Sequence, residues 1–214
     1  MKVLGLCVGM LRTNCYIAYM EGRADCVIVD PGAEPKKIEA KMAELGLSPG
    51  AILLTHGHFD HILAVEPLRE RFPGLEVYAL DEEEPLFSDS GANLSDMMRS
   101  PVTLSGLHFL GDREEIELCG MKFLVIATPG HTAGSCCFYV PEEKVLFSGD
   151  TLFCESMGRT DFPGGDEMAI LESISQTLME LPDEVKVYPG HESATDIGHE
   201  RRYNPAVYLY RRFR

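Results

Sequence analysis

Four short segments of the chain carry residue types that bind metal ions, and each directly follows an apolar, strand-like run. The first of these segments is the run HGHFDH at 56–61. In an extended segment, residues two apart face the same side, so His56 and His58 can meet one ion from one face. Neutral imidazole and carboxylate are good ligands for zinc and comparable transition metals. The residue types and their spacing therefore predict a metal site.

Further ligand-type residues extend the pattern to a second ion. Asp60 and His61 lie at the turn into the next helix, where they can reach a neighbouring position. The two oxygens of Asp150 allow it to bridge ions roughly 3.5–4 Å apart. A lone histidine usually has a structural role, as we expect for His108 and His199, but that alternative does not explain clustered ligand types at strand ends. The predicted metal ligands are His56, His58, Asp60, His61, His131, Asp150 and His191.

Hydrophobic periodicity indicates the elements that position these residues. Strands are predicted at 3–8, 15–20, 26–29, 51–54, 76–80, 115–118, 122–127, 135–140, 144–148 and 185–188, and helices at 35–45, 62–72 and 166–181. Residues 81–108 lose any period and are interpreted as an excursion or cap over the site. Within it, Phe87, Met97 and Met98 either line a substrate pocket or only pack. Because no repeat or linker interrupts the chain, residues 1–214 are predicted to form one domain.

Composition excludes several classes of protein. Lys and Arg number 19 against 34 Asp and Glu, for a net charge of −15, so no nucleic-acid-binding surface is expected. No apolar run approaches the roughly 18 residues of a membrane span, and the first residues do not resemble a signal peptide. Seven cysteines without CxxC spacing are interpreted as free thiols of a cytoplasmic protein. The arginine-rich end is either solvated or contacts another subunit in a homo-oligomer; it contains Arg201, Arg202, Arg211, Arg212 and Arg214.

Four motifs resemble those of the metallo-β-lactamase superfamily, and the resemblance covers nearly the whole chain. They are THGHFDH at 55–61, TPGHTAGS at 128–135, SGDTLF at 148–153 and YPGHE at 188–192. Their combination is most similar to that of the type II glyoxalases, the hydroxyacylglutathione hydrolases. The length and the ending of the chain resemble the short bacterial glyoxalase II-like group, which lacks the C-terminal helical domain of the classical enzymes.

The resemblance implies a fold, a cofactor and a chemistry. The fold would be α/β (α+β), a four-layer αββα metallo-β-lactamase sandwich with the metals at one edge. Zinc is the first expectation, at one or two ions per chain, with iron and manganese as alternatives. A metal-bound hydroxide would attack the carbonyl of a small-molecule thioester such as S-lactoylglutathione, with Asp60 and Asp150 as catalytic residues. The implied first site is His56, His58 and His131, the second is Asp60, His61 and His191, and Asp150 bridges both.

The residues that would bind substrate depart from the family pattern. Arg159 matches a glutathione-binding lysine of the family, and its fork of donors is predicted to bind a substrate carboxylate. Alternatively, Arg159 is a structural ion-pair partner of Asp161. Asp161 and Ser193 stand where the family has tyrosines, so the resemblance implies weak binding of glutathione.

Three other functions are compatible with the same residues. The run RTDF at 159–162 also resembles persulfide dioxygenases, which would use a single iron on His56, His131 and Asp150. Another hydrolase of the superfamily, such as a lactonase or a phosphodiesterase, is a further alternative. A metal-binding protein without enzymatic activity is the last. Iron content and oxygen uptake with glutathione persulfide would separate the dioxygenase from the hydrolases.

Overall fold

Two six-stranded sheets pack face to face in the computed structural model, which describes residues 1–98 and 101–213. The first sheet keeps the order of the chain. Its first three strands are antiparallel, and the remaining strands continue in parallel. The strands of this sheet are β1 (Lys2–Val8), β2 (Thr13–Tyr19), β3 (Asp25–Val29), β4 (Ser48–Leu54), β5 (Glu76–Leu80) and β6 (His108–Leu110).

The second sheet is formed by the later part of the chain. It begins with β7 (Glu115–Leu118), β8 (Met121–Ala127), β9 (Cys136–Val140) and β10 (Val145–Gly149). A short hairpin of β11 (Leu152–Phe153) and β12 (Ser156–Met157) follows, and the chain returns to the sheet in β13 (Lys186–Pro189) and β14 (Thr195–Asp196). The order is β14-β13-β10-β9-β8-β7, in which β10 and β13 are parallel and the other neighbours antiparallel.

Helices cover the outer face of each sheet. Ile38 and Leu68 belong to one apolar cluster with Ile52 of the first sheet, and Ile170 packs in another with Leu146 of the second. The helix predicted at 62–72 is observed at Val65–Arg71, and a separate helical turn at Phe59–Ile62 precedes it within the predicted metal-binding motif. The helices are α1 (Pro35–Leu45), α2 (Phe59–Ile62), α3 (Val65–Arg71), α4 (Glu84–Ser88), α5 (Glu167–Glu172), α6 (Ile197–Tyr203) and α7 (Pro205–Phe213).

Alternate side chains of the central strands point to different layers. Ile52 and Leu54 join the cluster beneath α1 and α3, whereas Leu53 faces the other sheet together with Phe123 and Phe147. Both faces of each sheet are therefore buried, which explains why these strands read as continuous apolar runs. The layers are helix, sheet, sheet and helix, so the expected four-layer αββα sandwich is confirmed.

The helix predicted at 166–181 is not a continuous α-helix. After α5 the chain forms a π-helical segment at Ser173–Thr177 and a 3-10 turn at Leu178–Glu180. The Ser173 hydroxyl in this segment donates to the carbonyl of Pro129 at 2.8 Å, next to the loop of a predicted ligand. The buried residues Ile170, Ile174 and Leu178 are still four apart in this segment, so their spacing did not reveal the π-turn.

The segment predicted to be irregular, 81–108, contains short helical turns. Two 3-10 turns, Asp81–Glu83 and Ser95–Met97, lie on either side of α4. Phe87 is only 1% exposed and packs in the core rather than in a pocket. Residues 99–100 of this segment lie outside the described residues.

The arginine-rich end forms α6 and α7, which pack on the second sheet through Ile197 and Val207. The guanidinium of Arg201 donates to the carbonyls of Met179 and Leu181 at 2.7 and 2.6 Å. Arg202, Arg211 and Arg212 are exposed or partly exposed on these helices, and Arg214 lies outside the described residues.

The structure bears on two further predictions, that the cysteines are free thiols and that the chain has no membrane span. All seven cysteines lie within the described ranges, and each carries a free thiol. Throughout those ranges, no helix has both the length and the apolar character that a membrane crossing requires.

Candidate metal centre

The predicted ligands follow the carboxyl ends of strands from both sheets. His56 follows β4 of the first sheet, and His131, Asp150 and His191 follow β8, β10 and β13 of the second. His58 lies at the N-cap position of α2, which carries the remaining two ligands. The side chains of all seven meet at this edge, in three overlapping groups whose donor atoms lie within 4.8 Å of one another.

The first group contains His56, His58 and His131, which are almost completely buried. The Nδ1 atom of His58 lies 2.9 Å from Nε2 of His131. The three ring centroids are 4.7–4.9 Å apart, and the rings are nearly perpendicular to one another. Three imidazoles in this arrangement can direct one nitrogen each to a common point.

The second group contains Asp60, His61 and His191. The Oδ2 atom of Asp60 lies 3.6 Å from Nε2 of His61 and 3.3 Å from Nε2 of His191. The hydroxyl of Thr13 donates to the same Asp60 oxygen at 2.7 Å, which holds the carboxylate in this orientation.

Asp150 lies between the two groups. Its Oδ1 atom is 3.4 Å from Nε2 of His61, and its Oδ2 atom is 3.7 Å from Nε2 of His131 and 3.4 Å from Nε2 of His191. A single carboxylate therefore faces imidazoles of both groups, as a residue that bridges two ions would.

Two independent observations indicate that these side chains can hold a metal ion. Buried polar atoms normally have partners, yet among the described residues Nε2 of His56, Nε2 of His61 and Oδ1 of Asp150 have no hydrogen-bond partner. Two donor atoms bound at about 2.0–2.1 Å to one tetrahedral ion lie roughly 3.3 Å apart. The nitrogen–nitrogen and nitrogen–oxygen separations given above are close to this value, from 2.9 to 3.7 Å. The donor set of imidazoles and carboxylates suits zinc, iron or manganese.

Hydrogen bonds on the far side of the rings orient the ligands. Nδ1 of His131 lies 2.7 Å from the carbonyl oxygen of Arg159. Because a carbonyl can only accept, this nitrogen carries the hydrogen and Nε2 presents its lone pair to the centre. Nδ1 of His61 is 3.0 Å from Oδ2 of Asp30, whose other oxygen accepts from the backbone N–H of Thr55 at 2.8 Å. Such partners set the tautomer and direction of metal-binding histidines.

The electrostatics of the two groups differ. Burial lowers the pKa of His58 to about 3, so this imidazole is neutral and ready to act as a ligand. Burial also opposes the charged forms of His61 and His191, but Asp60 and Asp150 outweigh it and raise their pKa values to about 9 and about 10. Without metal, protonated imidazoles therefore compensate the carboxylates, and a bound cation would take the place of those protons.

At Gly190 and Gly158 the backbone passes so close to the candidate ligands that there is no room for a side chain. A Cβ atom on Gly190 would lie 2.1 Å from Oδ1 of Asp150 and 2.8 Å from Cε1 of His61. One on Gly158 would lie 1.8 Å from the backbone oxygen of Asp150. Backbone therefore approaches the ligands so closely that neither position tolerates a side chain without displacing them.

Sequence reasoning missed two buried carboxylates beside the centre. Asp30 directly follows the strand predicted at 26–29, and an acidic residue after a buried apolar run is a signal that could have identified it. Glu83 lies in an acidic stretch without any pattern, yet it is only 1% exposed. Its carboxylate accepts from the N–H groups of Gly57 (2.7 Å) and Gly134 (3.0 Å) and from the Thr132 hydroxyl (2.9 Å). It thus joins the loop of His56 and His58 to the loop of His131.

We expect Glu83→Ala to lower the free energy of unfolding by about 3 kcal/mol, because it leaves buried donors of both loops without an acceptor. Metal should also be retained more weakly, since the two loops are no longer joined. Chemical denaturation and competition with a chromophoric chelator measure the two effects.

Glu82→Ala is the matched control, since its side chain is exposed in the same turn and should change stability by no more than about 0.5 kcal/mol. Glu83→Gln keeps one acceptor oxygen and should fall between the two. If Glu83→Ala unfolded at the same denaturant concentration as the unchanged protein, Glu83 would not join the two loops in the way proposed.

Arg159 lines the cavity next to the ligands, but its guanidinium already has a partner. Its Nε and a terminal nitrogen donate to the two oxygens of Asp161 at 2.7 and 2.6 Å. This contact holds the pKa of Asp161 at about 2. The guanidinium also lies 4.0 Å from the ring centroid of Phe162. The pair is exposed to solvent, so a substrate carboxylate can compete with Asp161 for the guanidinium.

Comparison with known sequences agrees with this geometry. The family model described as the metallo-beta-lactamase superfamily matches residues 8–191. The probable metallo-hydrolase YqgX of Bacillus subtilis is 37% identical over 207 residues, 96% of this chain and 97% of the relative. The hydroxyacylglutathione hydrolase GloC of Haemophilus influenzae is 35% identical over 201 residues, 92% of this chain and 94% of the relative.

Solved structures show the same fold. The BLEG-1 B3 metallo-beta-lactamase has a TM-score of 0.90 and 37% identity, covering 96% of this chain and 99% of that one. TTHA1623, solved in a di-iron-bound form, has a TM-score of 0.83 and 40% identity, covering 94% and 98%. ETHE1 from Myxococcus xanthus has a TM-score of 0.76 and 30% identity, covering 96% and 84%.

Proposed function

The chain belongs to the metallo-beta-lactamase superfamily, and on that premise we propose that it hydrolyses thioesters with the help of bound metal ions. One observation carries the proposal: Asp150 lies between two groups of ligand side chains at the edge of a cavity large enough for a small molecule. The 35% identity to the hydroxyacylglutathione hydrolase GloC supports thioesters as the substrate class.

Seven side chains would hold the ions: the three of each group described above, and Asp150 between the groups. Metal ions bound there would supply water of lowered pKa and Lewis-acid activation of the substrate carbonyl. Zinc is our first expectation, and the di-iron form of TTHA1623 makes iron the main alternative. The oriented imidazoles of His131 and His61 cannot rotate without breaking their bonds to Arg159 and Asp30, so the centre is organised before substrate arrives.

The neighbours of Asp60 orient its carboxylate and keep it ionised, so that it can position a water molecule. The Thr13 hydroxyl keeps Asp60 directed at the cavity, where its carboxylate can accept a hydrogen bond from an entering water molecule. His61, His191 and the hydrogen bond from Thr13 keep the pKa of Asp60 low against the effect of burial, so this oxygen is available as an acceptor at neutral pH. The leaving group is a thiolate, which departs without a strong general acid because its thiol is itself fairly acidic.

A second candidate function is a persulfide dioxygenase with one iron. The run at 159–162 (RTDF) resembles those enzymes, and the similarity to ETHE1 from Myxococcus xanthus supports the alternative. The two-group arrangement of ligands favours hydrolysis, because a mononuclear enzyme has no need of Asp60, His61 and His191 together.

The deciding experiment is metal analysis of the purified protein, followed by a thioester panel that includes S-lactoylglutathione. We expect one to two equivalents of metal and hydrolysis of thioesters without oxygen consumption. Oxygen uptake with glutathione persulfide, in a protein that carries one iron and leaves thioesters intact, would replace the proposal with the second candidate.

For Arg159→Ala we expect KM for an anionic thioester to rise about three- to tenfold, with kcat nearly unchanged. A carboxylate far from the reacting carbonyl is bound equally in the ground and transition states, so its loss affects KM. Steady-state kinetics on an anionic and a neutral thioester measure the difference. Arg12→Ala, which removes an exposed arginine from a neighbouring cavity, is the matched control. Equal effects of Arg159→Ala on both substrates would assign Arg159 a structural role with Asp161.

A further inference from the structure

A cavity of about 560 Å³ adjoins the candidate metal centre and has two chemically different sides. One side carries ligand residues, among them His58, Asp60 and His191. The other side carries apolar side chains from separate parts of the chain: Leu94, Met97, Phe153, Met157 and Phe162. A molecule that fills this cavity therefore touches the metal ligands and a hydrocarbon surface at the same time.

The apolar side begins directly at the ligands. The ring of Phe162 meets that of His58 edge to face, with centroids 5.6 Å apart. The ring of Phe153 meets that of His191 in the same way at 6.0 Å. When a carbonyl carbon is placed at the ligands, the group attached to it is consequently next to aromatic carbon.

Leu94 and Met97 are placed over the cavity by a tethered loop. The carbonyl of Asn93 accepts from the N–H of Phe59 in α2 at 2.9 Å, and its side-chain amide donates to the Val102 carbonyl at 2.8 Å. Asn93 is fully buried, whereas Met97 is 70% exposed. Leu94 has a φ of 66°, which is uncommon for residues other than glycine, so the surrounding bonds hold it in this position. The partly exposed Leu94 and the exposed Met97 are therefore available to a ligand.

The charged residues that line the cavity determine which acyl groups it can bind. Among the residues that line this cavity, all of which are described, Arg159 is the one arginine or lysine, and Asp161 already occupies its donors. Asp60, Asp150 and Glu192 add carboxylates to the lining. A negatively charged acyl group would have to displace Asp161 from Arg159 and would lie beside these carboxylates, so its desolvation would be unfavourable.

Resting on the proposed thioesterase function, we propose that the acyl group of the substrate is apolar, a medium-length aliphatic or an aromatic group, and that Leu94, Met97 and Phe162 bind it. In the reaction, water forms a bond to the carbonyl carbon and the C–S bond breaks. The products are a carboxylic acid and a thiol, which takes up the proton that water releases. The thiol portion extends toward solvent.

The test is a series of acetyl, butanoyl and hexanoyl thioesters of N-acetylcysteamine, an uncharged thiol. We expect kcat/KM to rise roughly two- to fourfold with each methylene group that the protein buries. Leu94→Ser and Met97→Ser should each reduce the ratio of hexanoyl to acetyl kcat/KM several-fold. Met168→Ser replaces an exposed methionine of α5 that does not line the cavity, and it should leave the ratio unchanged.

A binding measurement separates this inference from the proposed function. Ketone analogues, in which a methylene group replaces sulfur, cannot be hydrolysed, and calorimetry gives their affinity and heat-capacity change. Affinity that grows with chain length, with a more negative heat-capacity change, supports the apolar site even if no thioester is hydrolysed. Equal kcat/KM values along the series, together with equal analogue affinities, would overturn the inference while leaving thioester hydrolysis established.

Discussion

Removal of metal from the purified protein should lower thioester hydrolysis by about 10³-fold or more. Without cations, nothing else among the described residues of the centre lowers the pKa of water or polarises a carbonyl, because its imidazoles and carboxylates then compensate one another's charge. The measurement is dialysis against a chelator, metal analysis of the product and steady-state kinetics before and after zinc, iron or manganese is returned.

The control is a circular dichroism spectrum of the metal-free protein, which shows whether the sheets persist. Activity that returns in proportion to the metal bound would support the mechanism and would also identify the most effective ion. Undiminished turnover by protein shown to be metal-free would exclude a metal-dependent hydrolase.

Asp150→Ala is expected to be the most damaging change among the seven ligands, with a loss of about 10³-fold in kcat. The reason is its position, since its oxygens lie 3.4–3.7 Å from imidazole nitrogens of both groups. Asp60→Ala removes a donor from the second group alone and should leave about one equivalent of metal bound. Metal stoichiometry and kinetics of the two variants give the comparison.

Glu142→Ala is the matched control for these variants, because it removes an exposed carboxylate from the turn between β9 and β10. It should keep both the metal and the rate of the unchanged protein. Two equivalents of metal and a near-normal rate in Asp150→Ala would show that this carboxylate does not bridge the ions.

The clustering of the seven candidate ligands could be predicted because its signal is local. HGHFDH places its ligands within six residues, and His131, Asp150 and His191 each follow an apolar strand within a short motif. The strands were predictable because segments buried on both faces produce continuous apolar runs, whereas the four-layer arrangement followed from the resemblance of the motifs to the metallo-β-lactamase superfamily. Residue type and short spacing thus carried most of the information about the centre.

The supporting carboxylates could not be predicted, because their partners are distant in the chain. Glu83 lies 26 residues from Gly57 and 51 residues from Gly134, so no periodic pattern connects them. The π-helical segment at Ser173–Thr177 was missed because the buried residues across it keep a spacing of four. One domain over 1–214 and self-association of the arginine-rich end remain predictions.

The division of the ligands between the two sheets has a consequence for the stability of the chain. His58 and His131 are 73 residues apart in sequence and belong to loops of different sheets, yet their nitrogens are 2.9 Å apart. An ion held by both would join two distant parts of the folded chain, and because the unfolded chain does not bring these nitrogens together, the ion would stabilise the fold by mass action. At a free-metal concentration of 1,000 times Kd, binding of this kind adds about 4.1 kcal/mol to the free energy of unfolding. If the proposed metal ions bind here, the resistance of this protein to unfolding depends on the metal supply of its surroundings, and metal starvation is expected to expose the chain to proteolysis as well as to stop catalysis.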